Sequence, residues 1–135
     1  MAPATFASLL ANRRVTIAAT ILLTLPYWAS GIAKLADRNG AMAEAEYFGL
    51  HPASAIAALT ILVQLGGSLL VIMGRQAWLG AGALGVFTAA ATLIAHPFWT
   101  VADPIARFHE RNTFLEHAGL VGGLMLAAIV REKTR

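Results

Sequence analysis

The chain contains no cysteine among its 135 residues. Disulfide bonds, thiolate metal sites and thiol-disulfide chemistry by the chain itself are therefore excluded. Charge is also scarce, because Asp, Glu, Lys and Arg together make up 13% of the residues, against roughly 25% in soluble globular proteins. A chain with so few charges is not expected to be disordered or to be a water-soluble monomer.

Apolar residues take the place of the missing charges. The hydrophobic set accounts for 58% of the chain, and it is concentrated in four runs long enough for a helix to cross a hydrocarbon core of about 30 Å. The predicted spans are about 15–36, 53–73, 76–95 and 114–130. The sequence therefore predicts one all-α domain over residues 1–135, an integral membrane four-helix bundle whose main partner is the lipid bilayer.

Basic residues are divided unevenly between the two sides of this topology. The side with both termini and the 74–76 turn has six basic residues and one acidic residue, whereas the other side has four basic and six acidic residues. Because Lys and Arg accumulate on the cytoplasmic face, we predict cytoplasmic termini and a multi-pass location in the inner (plasma) membrane. The net charge of +3 reflects this asymmetry and not a basic patch among exposed aromatics, so no nucleic-acid partner is expected.

The N-terminus has a second interpretation. Arg13-Arg14, the apolar run after it and the small residues 29–31 resemble a cleavable twin-arginine signal. However, the run is long enough to span the membrane and three further spans follow it. A retained helix is therefore the favoured interpretation.

The two non-cytoplasmic connections are long, which is typical of functional or interfacial segments. The first contains a helix-favouring run at 41–48. The second contains Asp103-Pro104, an N-cap followed by proline at the first helical position, which predicts a short helix over 104–110. Thr113-x-x-Glu116 then predicts a capping box at the start of the fourth span.

Small residues recur within the spans, as in Gly119-x-x-x-Gly123 of the fourth. This spacing lets two helix backbones approach closely. Packing within the bundle is the favoured interpretation, and a seam between two copies of a homo-oligomer is the alternative.

Polar residues within or beside the spans are the candidates for binding. All four histidines fall on the non-cytoplasmic side, and His96 and His117 lie at adjacent helix ends, at the depth of Lys34. Gln64 lies near the middle of the second span, where its amide must hydrogen-bond another helix or a ligand. The ligand-binding candidates are Lys34, Gln64, His96, His117, Glu116 and Tyr27.

Each candidate also has a structural explanation. Lys34 can extend its ammonium to the interface, Glu116 can cap a helix, and an interfacial histidine can simply be hydrated. No catalytic residue can be named. The histidines lack His-x-x-x-His spacing and lie at the membrane boundary, so neither a metal site nor haem is predicted.

Several short motifs follow one another in a characteristic order. They are Gly31-x-x-Lys34-Leu35, Phe48-Gly49-Leu50-x-Pro52, Gln64-Leu65-Gly66-Gly67, Gly74-Arg75, His96-x-Phe98 and Leu120-x-Gly122-Gly123. In this order and in a chain of this length, they resemble the DoxX family of small four-helix membrane proteins. Gln64 departs from the pattern, because members of the family often have Glu there.

The resemblance implies a membrane subunit linked to redox chemistry, since relatives include the membrane part of a thiosulfate:quinone oxidoreductase. No cofactor is firmly implied, but a quinone is the natural hypothesis, with a soluble oxidoreductase as partner. If there is enzymatic activity, it would then belong to a quinone-linked oxidoreductase complex. The alternatives are a carrier of small lipophiles and a non-catalytic anchor for a soluble partner.

Overall fold

A computed structural model describes residues 1–134, and within them the regular structure is entirely helical. The helices are α1 (Ala4–Leu10), α2 (Arg13–Ala36), α3 (Arg38–Tyr47), α4 (Ala53–Met73), α5 (Ala77–Ala95) and α6 (Pro104–Lys133), with a 3-10 turn at Phe98–Thr100. Four of them, α2, α4, α5 and α6, are long and apolar enough to cross a membrane. This confirms the predicted all-α four-helix class. Arg135, counted above among the basic residues, lies outside the described residues.

The four long helices pack mainly in chain order, α2 on α4, α4 on α5 and α5 on α6, while α2 and α6 touch at few points. Gly74 ends α4 with a φ of +77°, a left-handed conformation that glycine adopts without strain. The tight turn that follows makes α4 and α5 antiparallel neighbours. We refer to this end of the bundle as the Gly74 end, and to the opposite end, where α3 lies against α4, as the α3 end.

Glycine sets the distance between α4 and α5. A Cβ atom built on Gly80 would lie 2.6 Å from the carbonyl oxygen of Gly67, closer than any real side chain comes to a backbone atom. A close approach of this kind is how membrane helices gain packing contacts without a hydrophobic driving force. In α6, Gly123 packs against Leu23 of α2, whereas a Cβ on Gly119 would meet no atom within 4 Å.

The interior of the bundle is small and partly polar, and large apolar side chains cover its outside. Val71, Leu84 and Leu124 form a compact core with Tyr27. Many leucines and isoleucines of the long helices are exposed, which a protein in water would avoid and which lipid tails accept. This distribution supports the bilayer environment predicted from composition.

The connection before the last span differs from the expectation. The predicted short helix over 104–110 and the span predicted at 114–130 form one continuous helix, α6. Asp103 caps α6 as predicted, accepting a hydrogen bond from the amide of Ala106 at 2.8 Å. The capping box is wrong, because Thr113 lies inside the helix and donates to the carbonyl of His109 at 3.1 Å. No glycine or proline interrupts residues 105–118, so nothing ends the helix there.

A buried arginine joins three helices at the Gly74 end. Arg131 of α6 donates from Nε to the carbonyl of Val71 at 3.2 Å and from Nη2 to the carbonyl of Ile72. Nη2 also lies 3.5 Å from Oγ1 of Thr20 on α2. The charge assigned from sequence to the membrane surface is therefore mostly internal, where it satisfies carbonyl groups at the C-terminus of α4.

Candidate functional site

A cavity of about 240 Å³ lies at the α3 end, between the four long helices and beneath α3. An apolar cavity of about 150 Å³ can hold a benzene molecule, so this one has room for a single aromatic ring. Most of its wall is apolar, from residues such as Ile56, Phe87, Ala91 and Ile94. The polar residues in the wall are Ser30, Lys34, Glu44, Thr60, Gln64, His96 and His117.

Lys34 is neutralised by a residue from the covering helix. Its Nζ lies 2.8 Å from Oε2 of Glu44 on α3 and donates to Oγ of Ser30 at 3.1 Å. The side chain of Lys34 is 19% exposed, so the ammonium faces the cavity more than the solvent. The α3 helix reaches this position because Asp37 caps its first turn, accepting from the amide of Gly40 at 2.9 Å.

The two histidines at the adjacent helix ends lie side by side, with ring centroids 5.2 Å apart. Nδ1 of His96 is 2.6 Å from Oε2 of Glu110, which lies in the part of α6 that precedes the apolar run. Nδ1 of His117 is 2.8 Å from Oγ1 of Thr92 on α5. Each imidazole is therefore held through one nitrogen, which fixes the ring and leaves Nε2 for another partner.

Gln64 is the buried amide residue in the cavity wall. A Cβ built on Gly31 would lie 3.3 Å from Cβ of Gln64, so the glutamine faces α2 about one helical turn below Lys34. The residue is 6% exposed. Its Oε1 is buried and has no hydrogen-bond partner among residues 1–134.

The remaining candidates lie outside this cavity. Tyr27 is buried one turn deeper in α2, and its hydroxyl is 2.5 Å from Oγ1 of Thr88 on α5. This bond joins α2 and α5, and neither of its residues lines the cavity. Glu116 is exposed on α6 and does not line the cavity. His51 and His109 are also exposed, as expected for hydrated residues.

Sequence reasoning did not identify the acidic partners of the cations, although the sequence holds a signal for each. Ala41, Glu44, Ala45 and Phe48 all line the cavity, and their spacing is that of one face of a helix. Glu110 lies seven residues before His117, which places both on one face of an uninterrupted helix. That second signal is visible only once 104–133 is recognised as a single helix.

No group of three or more His, Asp or Glu side chains within residues 1–134 is arranged to hold a metal ion. What the cavity offers is hydrogen bonding and charge at one end of an apolar space. The arrangement is that of a bundle of four helices, each long and apolar enough to cross a membrane, with a mostly apolar cavity at the α3 end.

The DoxX family model matches residues 16–97. The match covers more than half of the chain, and the protein therefore belongs to the DoxX family. Lys34, Glu44, Gln64 and His96 fall within the matched region, whereas His117 lies beyond it. A comparison with curated proteins and another with solved structures each gave no match.

Proposed function

We propose that this DoxX-family protein binds a lipophilic redox molecule of the quinone type in the cavity at the α3 end, as a subunit of a membrane redox system. The observation that carries the proposal is an apolar cavity with Lys34, Gln64, His96 and His117 in its wall. A quinone needs an apolar space for its ring and hydrogen-bonding groups for its carbonyl oxygens. Ammonium and imidazole groups supply such donors.

The charges around the cavity favour a neutral ligand over an anion. Lys34 is paired with Glu44 at 2.8 Å, and His96 lies 2.6 Å from a carboxylate oxygen of Glu110. A neutral quinone can accept hydrogen bonds from these groups without separating the pairs, whereas a carboxylate or phosphate would compete with the acids already there. The exposed apolar surface of the long helices lets such a ligand arrive through the membrane.

The proposal includes an orientation. With basic residues concentrated at the Gly74 end, that end faces the cytoplasm and the cavity lies in the opposite half of the inner membrane. A reporter fused to the C-terminus is expected to be active in the cytoplasm. Activity only on the opposite side of the membrane would overturn this orientation.

Purification in a mild detergent, followed by mass spectrometry of the bound lipophiles, tests the binding. We expect a quinone in near-stoichiometric amount, lost from Lys34→Ala and His96→Ala and retained by Lys133→Ala, a control at the opposite end of the bundle. Phospholipid alone, in the wild type and in all variants, would contradict the proposal.

A second candidate function is supported by apolar residues at the α3 end. Ile105 and Phe108, in the first turns of α6, are 70% and 59% exposed. Three residues apart on a helix, they share one face, which a soluble oxidoreductase can cover. As an anchor, the protein would lose its partner on combined Ile105→Ser and Phe108→Ser substitution and still fold. Retention of the same co-purifying proteins would exclude this surface.

A further inference from the structure

The inference concerns the buried carboxamide of Gln64 and rests on the proposed function. Oε1 of Gln64 is buried and has no partner within residues 1–134, and the residue lines the cavity. A buried acceptor that is left unpaired is costly, and native proteins pair nearly all such groups. The terminal torsion of a glutamine is soft, so the carboxamide can turn this oxygen towards the cavity. A ligand that donates a hydrogen bond to it there would gain more than one that does not.

The position of Gln64 determines which part of a ligand it meets. It lies opposite Gly31, where a Cβ would come within 3.3 Å of the glutamine Cβ and 2.8 Å of Leu65. Nζ of Lys34 turns back along α2 to Oγ of Ser30 at 3.1 Å, and Lys34 lines the same cavity as Gln64. A ring that fills the cavity can therefore meet the carboxamide of Gln64 with one polar substituent and the ammonium of Lys34 with another.

The two oxidation states of a quinone differ at this point. The carbonyl oxygens of a quinone only accept hydrogen bonds, so they can pair with Lys34 or with Nε2 of Gln64 but leave Oε1 of Gln64 unpaired. The hydroxyl groups of a hydroquinone both donate and accept. One hydroxyl can therefore donate to Gln64, and the other can accept from Lys34.

We propose that the cavity recognises an aromatic lipophile by a ring hydroxyl that donates to Oε1 of Gln64, and that it binds hydroquinones in preference to quinones. The volume of about 240 Å³ admits one such ring, and the apolar wall accepts its hydrocarbon parts. Discrimination is strong at sites of this kind, because the wrong ligand leaves a buried polar group unpaired.

The test uses two stable probes, a 4-alkylphenol and its methyl ether, of which only the phenol has a hydrogen-bond donor, with the full chain in nanodiscs. We expect the phenol to bind about tenfold or more tightly than the ether. Anaerobic titration with a short-chain hydroquinone and the matching quinone should show the same order. Equal binding within both pairs would overturn the inference, because it would mean that water already satisfies Gln64.

Substitution then assigns the effect to one residue. Gln64→Met keeps the approximate shape and removes the acceptor, so the phenol should fall to the affinity of the ether while the ether is unchanged. Gln76→Met, an exposed glutamine at the Gly74 end, is the matched control and should keep the preference. A preference for the phenol that survives Gln64→Met would refute the role of this residue.

The outcomes separate this inference from the proposed function. Equal binding of phenol and ether, together with equal binding of hydroquinone and quinone, would remove the inference and leave lipophile binding intact. Failure of every probe to bind would overturn both. The comparison within the wild type needs no variant, so the inference can be refuted even if Gln64→Met does not fold.

Discussion

Replacing Arg131 by methionine is expected to weaken the contact between α6, α4 and α2. Arg131 is 7% exposed, and its guanidinium donates to the carbonyls of Val71 and Ile72, with Thr20 at 3.5 Å. Both carbonyls belong to the last turn of α4, where no following helical amide can pair with them. The substitution would leave them without their donor in a site that is mostly dry.

The magnitude follows from the two carbonyl bonds. A hydrogen bond from a charged donor contributes roughly 1.5–3 kcal/mol, and the 3.5 Å contact with Thr20 adds little because it is long. Water near the end of the helix can reach part of the freed carbonyl surface, which keeps the loss for each bond at the lower end of that range, about 1.5 kcal/mol. For the two carbonyl bonds together, we therefore expect Arg131→Met to reduce the free energy of unfolding by about 3 kcal/mol.

Reversible unfolding in mixed micelles measures this difference. Lys133→Met is the matched control, since it removes a positive charge from an exposed position two residues further along the same helix. Arg131→Lys retains the positive charge but loses the planar guanidinium that reaches both carbonyls, so we expect a loss of unfolding free energy between those of the other two variants. If Arg131→Met and Lys133→Met unfold at the same denaturant concentration, the reasoning about the buried guanidinium is refuted.

Two further substitutions are measured in the same unfolding assay. Gly80→Ala should lower the free energy of unfolding by about 1–3 kcal/mol, because the added Cβ would lie 2.6 Å from the carbonyl oxygen of Gly67. The control Gly82→Ala faces open space and should be near neutral, so equal effects of the two substitutions would contradict the close helix contact. Tyr27→Phe should cost only about 0.6 kcal/mol, as is typical of bonds between membrane helices, and a much larger loss would show that the bond to Thr88 is not its main effect.

Much of the fold could be predicted from the sequence because the bilayer imposes simple requirements. A run of about 20 apolar residues is sufficient to indicate a spanning helix, and the predicted 53–73 span corresponds to α4, Ala53–Met73. The same rule underestimates the length of the last helix, since the predicted span covers 114–130 and α6 covers Pro104–Lys133. Hydropathy detects only the lipid-facing part of α6, whereas residues 104–113 are polar and continue the helix because nothing in them breaks it.

The candidate site was predicted in part. Lys34, Gln64, His96 and His117 stood out because polar groups are rare and costly in spanning segments, and all four line one cavity. Glu44 and Glu110 lie in segments outside the predicted spans, where an acidic residue is unremarkable. Their pairing with Lys34 and His96 requires α3 to lie over the bundle and α6 to continue as one helix back to residue 104. Helical spacing within each segment indicates a shared face, but it does not specify this tertiary placement.

Gln64 and Arg131 lead to opposite predictions for stability. Arg131 donates hydrogen bonds to backbone carbonyls. In contrast, Oε1 of Gln64 is buried and has no hydrogen-bond partner within residues 1–134. Removing an unpaired acceptor relieves a cost of roughly 1–3 kcal/mol. Without added ligand, Gln64→Met should therefore be at least as stable as the wild type, although it loses the preference for a phenol.

That combination is expected of a residue retained for binding at the expense of stability. Unfolding with and without the 4-alkylphenol separates the two effects, since the ligand should stabilise the wild type more than Gln64→Met. A Gln64→Met protein that unfolds as readily as Arg131→Met when no ligand is added would show that the glutamine is structural. Oε1 would then have an internal partner in the membrane, and the argument for a donor on the ligand would fail.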